Sequence, residues 1–177
     1  MDWSRAKNII IAVLLAANLL IGGKLLADGR GSERLLAQAA ADCKAFLESR
    51  GLSIETEIPA EGQRLPVLFL RIESGGETPA ESYRGLPIAV TGGSASYEIE
   101  GSGDQAALTI TSSEALLKLY ADLCAQGETV RGRTVEDIEL VYLLSVDGSL
   151  RTAQDTAIPA WRVNLSGTDY YVNAYAE

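Results

Sequence analysis

The chain carries 24 acidic residues, two cysteines and no histidine in 177 positions, and this inventory limits the chemistry it can hold. Without imidazole there is no His-based triad, no usual catalytic zinc site and no ordinary general base near neutral pH. The carboxylate pairs Glu55/Glu57 and Glu98/Glu100 stand at alternate positions of strand-like segments. Each pair therefore shares one solvated face instead of flanking a cleft, as two-carboxylate hydrolysis requires. The clusters ESGGE and TGGSAS lack the Gly-Lys-Ser/Thr ending of a phosphate cradle and open no helix, and Ser94 lacks the second flanking glycine of a nucleophile elbow. No catalytic residue, metal site, cofactor or small-molecule substrate is expected, and the reading is of a protein that is not an enzyme.

The residues that remain informative suit contacts. Asn18 lies in the middle of an apolar run with Gly22 one turn later on the same helical face, a pair that can hydrogen-bond to and closely approach a partner helix in a membrane. Near the other end, AWRVNL sets Trp161, Val163 and Leu165 on one strand face. That face is expected to be core. The partner strand DYYVNAYA divides into Tyr170, Val172 and Ala174 against Tyr171, Asn173 and Tyr175. The second set is the expected exposed contact surface, because a tyrosine offers apolar area with a polar tip.

Cys43 and Cys124 each fall on the apolar face of a predicted helix, and neither has metal-ligand spacing. They are read as structural. Outside the cytoplasm a single disulfide between them is permitted, while their positions favour two small buried hydrophobes.

Position of these residues depends first on the N-terminus. The run from Ile9 to Gly23 has no charge and is closed by Lys7 and Lys24. With Leu25, Leu26 and Ala27, and with both lysines bending towards the interfaces, roughly twenty residues can cross a bilayer core of about 30 Å. Trp3 then sits at headgroup depth. A cleaved signal peptide fits less well, since Leu25 occupies the third-last position before a cut after Ala27. Arg5 and Lys7 keep the short N-terminus in the cytoplasm and send the rest across the plasma membrane. Residues 1–27 are thus expected to be a cytoplasmic stub and transmembrane anchor, 28–32 a tether, and 33–177 one extracytoplasmic domain.

Without its first 27 residues the chain keeps about 12 basic and about 23 acidic residues, which excludes nucleic-acid binding through a basic patch. The domain reads as α+β: a β-rich antiparallel meander or curved sheet with two docked helices. Helical spacing runs from Glu33 to Ser49 behind a Ser32 cap, and again from Ser112 to Gln126, where Thr111 and Glu114 make a capping-box pair. LPVLFLRIE is apolar on both faces and reads as a covered central strand. LPIAVT, SASYEIE and AALTIT, separated by Gly92-Gly93 and Gly101-Ser102-Gly103-Asp104, read as three strands of a meander.

The start MDWSRAKNIII, the pair FLESRGLSIETEIP and LPVLFLRIE, and the ending IPAWRVNLSGTDYYVNAYAE together resemble the YycI-type regulatory proteins, relatives of YycH, which occur in Gram-positive bacteria with the WalK (YycG) sensor histidine kinase. Residues 74–111 carry nothing that matches. The resemblance implies a non-enzymatic single-pass regulator that contacts the kinase and a YycH-type companion and adjusts output to cell-wall metabolism. The alternative is a membrane-tethered binding module for peptide or wall polymer, with Trp161, Tyr171 and Tyr175 as its platform.

Overall fold

In the computed structural model the described residues are 29–59, 63–73, 82–93, 95–145 and 156–175. The expected membrane segment lies outside them, and among the described residues no helix is long and apolar enough to cross a membrane. They form a mixed α+β domain in which two helices accompany a β-rich, half-barrel sheet.

Helix α1 (Gly29–Ser49) leads into β1 (Ser53–Ile54), β2 (Arg64–Glu73), the short β3 (Ser82–Tyr83), β4 (Leu86–Thr91) and β5 (Ser96–Leu108). Helix α2 (Ser112–Ala125) then precedes β6 (Thr134–Ser145), β7 (Thr156–Leu165) and β8 (Thr168–Asn173). Helix α1 takes in Gly29–Gly31, which the sequence reading assigns to a tether. A glycine inside a helix costs only about 1 kcal/mol, so a helix already propagating through the alanine-rich stretch need not stop there. Helix α2 begins where its capping box sets it: the Thr111 hydroxyl accepts from the Glu114 amide, and the Glu114 carboxylate accepts from the Thr111 amide at 2.8 Å.

The antiparallel pair β6–β7 is the spine of the sheet, paired from Val135↔Leu165 to Leu144↔Ala157 with one irregularity between Val135 and Asp137. Strand β7 shares its other edge between β8, along Ala160–Leu165, and β2, at Thr156 and Ala157. Strand β6 likewise pairs with β1 at Thr134 and Val135 and with β4 from Tyr142 to Ser145. The order is β3-β4-β6-β7-β2-β5.

Both pairings on the outer edge of β6 are parallel, which corrects the expected antiparallel meander. Strand β4 joins β6 and not β5, and SASYEIE and AALTIT are largely one strand because Gly101–Asp104 stays extended. Glycines permit a turn without requiring one, and here β2 pairs with Gly101 and Ser102 while an irregularity in the ladder absorbs Gly103 and Asp104. The connection from β4 to β5 also explains the curl. Five chain steps reach at most about 18 Å, less through the left-handed Gly92, whereas four strand spacings in a flat sheet span about 19 Å. The sheet must bend to bring these ends together.

One face of the sheet meets the helices. Ile138, Leu140, Tyr142 and Leu144 of β6 and Trp161, Val163 and Leu165 of β7 form a single core with Leu47 of α1 and Leu116, Leu119 and Leu123 of α2. Full burial of a leucine such as Leu47 contributes about 1.5–3 kcal/mol. Phe46 and Tyr120 join the helices edge to face, with ring centroids 6.0 Å apart. Strand β2 is less covered than its composition suggests: Leu68 and Leu70 are buried, but Phe69 between them is 46% exposed. Among the described residues neither helix covers the face on which Phe69 lies.

Candidate contact surface

The β7–β8 hairpin closes through Ser166 and Gly167, both left-handed (φ 51° and 79°), the geometry of a two-residue turn whose twist suits a hairpin. Asn164 supports the turn by accepting from the Gly167 amide at 3.0 Å, while Ser166 Oγ accepts from the Thr134 amide at 2.9 Å and ties the turn to β6. Trp161 faces the core as expected, only 2% exposed, and its Nε1 donates to the Ile110 carbonyl at 2.9 Å.

The opposite face is divided. At one end Arg162 stands between two acids of β6, with Nη2 2.6 Å from Glu139 Oε1 and 3.3 Å from Asp137 Oδ2. Asn164 extends this polar row to Asp169 at 2.7 Å. Farther along β6 and β7 the same face becomes apolar, with Val141, Leu143 and Ala160 at 2% exposure or less. Tyr171 lies across from Arg162 and packs on that apolar cluster together with Ala89.

Tyr171 is therefore half-buried and not the exposed contact residue expected from strand alternation. The reason is that this face carries its own small hydrophobic cluster. Burial first, and then the Asp169 carboxylate, push the Tyr171 phenol above its usual range. Tyr175 is half-buried as well. Its backbone bridges to Thr109, and its hydroxyl is out of solvent with no hydrogen-bond partner among the described residues. Nearby Tyr142, fully buried, meets Tyr83 edge to face at 5.8 Å and likewise has a hydroxyl without such a partner. Burial, then the neighbouring Tyr175 and Tyr83, push the Tyr142 phenol up to about 12.

Between its pairings with β1 and β4, the outer edge of β6 has no partner strand among the described residues over 136–141. A cavity of about 500 Å³ opens beside this gap, bounded by Pro59, Gln63, Gly85–Pro87, Ile138–Leu140 and Trp161. A second hollow of about 690 Å³ lies on the far side of Pro59, between Ala37, Ala40, Ala41 and Lys44 of α1 and residues 56–59. Ser112 Oγ donates to the Pro59 carbonyl and holds this divider against α2.

The remaining sequence-derived residues are scattered. Asn18 and Gly22 lie outside the described residues. Cys43 and Cys124 are both free thiols on the two packed helices. Cys43 is buried, donates to the Ser113 carbonyl at 3.6 Å, and burial raises its thiol to about 12; Cys124 is half-buried beside Tyr120. Among the described residues no group of three or more Cys, Asp or Glu side chains could hold a metal ion. Sequence reasoning gave no role to Arg162, Tyr142 or Phe69. Arg162 was legible only as a charge amid strand alternation, and Tyr142 and Phe69 as members of apolar runs.

No family model matches the chain, and no curated protein is similar to it.

Proposed function

We propose that the chain is a non-enzymatic, single-pass regulator of YycI type, anchored in the plasma membrane and acting on a sensor histidine kinase by contact, together with a YycH-type companion. The supporting observation is the position of α1. Its described residues run from Gly29 to Ser49, and it buries Cys43 and Leu47 in the core. At 1.5 Å per residue it is about 31 Å long. On this reading a helix seated in the core would couple whatever the membrane segment touches to the folded domain. Contacts that favour one kinase state over another would then shift its population by their difference in free energy.

The test is co-reconstitution of the full-length chain with the kinase in proteoliposomes. Autophosphorylation should change when the chain is present, and should return towards the kinase-alone value when residues 6–27 are replaced by an unrelated membrane helix. Kinase output indifferent to the chain would refute the reading.

A second reading, a tethered module for peptide or wall polymer, is favoured by the cavity of about 500 Å³ beside the open edge of β6. A ligand retained there after the membrane helix is exchanged would support it.

A further inference from the structure

Two large apolar side chains are exposed among the described residues, Phe69 at 46% and Leu108 at 53%, and both belong to the β2–β5 pair at one end of the sheet. Strand β5 is the last in the order, so its outer edge has no partner strand among the described residues. It is 13 residues long, and Glu98, Glu100, Ser102, Asp104, Ala106 and Leu108 along it are exposed. A long free edge presents a row of backbone donors and acceptors, which proteins normally blunt with lysine, proline or a short strand. This edge has no lysine and no proline, and what guards it is acidic: Glu98, Glu100 and Asp104, with two irregularities in the ladder to β2.

Beside Phe69 its middle carries two glycines, Gly101 and Gly103. Phe69 lies directly across from Gly101, and a Cβ placed on Gly103 would be 3.9 Å from Cε2 of the Phe69 ring. Glycine inside a strand commonly marks a place where another backbone comes close. A chain laid along β5 here could meet the backbone unobstructed and rest its own apolar side chains near Phe69.

Charge selects the occupant. Strand β5 carries Glu98, Glu100 and Asp104 and no basic residue, in a chain of net charge −9. Arg71 faces Glu98 from β2, whereas Glu100 and Asp104 fall at the irregularities of the ladder and have no directly paired residue on β2. A second copy adding its own β5 would bring acid against acid, which disfavours pairing. A strand with lysine or arginine at alternate positions places opposite charges in register.

We propose that the outer edge of β5, with Phe69 beside it, is a docking site for an extended basic segment of a different protein, which adds as a further strand. The proposal rests on reading the chain as a contact protein and locates one contact in the part of the sequence, 74–111, that the family resemblance leaves unmatched. Main-chain hydrogen bonds would supply affinity, and the acids and Phe69 the selectivity.

The test uses the full-length chain in detergent and a fluorescent octapeptide alternating arginine and valine as probe. The peptide should bind, and the variant with Glu98→Lys, Glu100→Lys and Asp104→Lys should bind it about tenfold or more weakly, while Glu136→Lys, off this edge, changes affinity less than twofold. The variant should in turn bind an octapeptide alternating glutamate and valine, which shows that it is folded. A peptide of unchanged charge whose alternate amides are N-methylated should lose binding, because it cannot form the ladder. Equal binding of the methylated peptide, or an unaffected triple variant, overturns the proposal. So does a dimer in sedimentation that Phe69→Ala dissolves, since the edge would then belong to a second copy. The peptide assay does not involve the kinase, so a failure to affect kinase output with peptide binding intact would refute only the regulatory reading.

Discussion

The indole Nε1 of Trp161 donates to the carbonyl of Ile110 at 2.9 Å, so the central strand β7 is tied to the residue that precedes the N-cap of α2. The Ile110 amide in turn donates to the Ala174 carbonyl at 2.7 Å, which brings the end of the last hairpin to the same point. Trp161→Ala should destabilise the protein by about 3–5 kcal/mol, and Trp161→Phe, which leaves the buried Ile110 carbonyl unsatisfied, by about 1–3 kcal/mol. Urea titration of the two variants checks the order.

Tyr171 should respond differently from Trp161. Since it is half-buried on Val141, Leu143 and Ala160, Tyr171→Ala should cost about 1–2 kcal/mol and leave the chain folded at neutral pH. A loss as large as that of Trp161→Ala in the same titration would mean that both faces of the hairpin are equally core.

Tyr142 predicts an alkaline signature. Its phenol is raised in the folded state from 10.0 to about 12, so the neutral form is favoured by folding. The corresponding stability is fully present below about pH 10 and is lost as pH rises towards 12, amounting to about 2–3 kcal/mol. Tyr142→Phe should remove that part of the pH dependence. At pH 7 it should be neutral or stabilising by up to about 1 kcal/mol, because it removes a buried hydroxyl with no partner among the described residues.

The two thiols should be separable by alkylation. With its thiol raised to about 12 by burial, Cys43 should resist iodoacetamide at pH 8 until the protein is unfolded, while half-buried Cys124 reacts in the native state. Peptide mapping by mass spectrometry reads the difference. Modification of Cys43 at the rate of Cys124 would show that α1 does not stay docked.

Local signals in this sequence carried far and long-range pairing did not. The Thr111/Glu114 capping box and the turn at Ser166-Gly167 involve residues within four positions of each other, and both form where the sequence places them. The parallel addition of β4 to β6 joins residues more than fifty positions apart, such as Ile88 and Tyr142, and nothing in LPIAVT names that partner. Gly101–Asp104 has the composition of a turn but lies in a strand, because the neighbouring β2 pairs with Gly101 and Ser102 and the ladder resumes at Ala106. Alternation correctly separated Trp161 from Tyr171 onto opposite faces. It could not reveal that the second face has a small core of its own, since Val141 and Leu143 lie inside an unbroken apolar run whose two faces look alike.

The most direct measurement is affinity capture of the full-length chain from crosslinked membranes, with identification of the captured proteins and intact-mass analysis of the bait. The account predicts a bait that retains residues 1–27, a sensor histidine kinase and a YycH-type companion enriched above a control whose residues 6–27 are exchanged. A bait beginning at Asp28 and free in the medium, or a capture without any kinase, would contradict it.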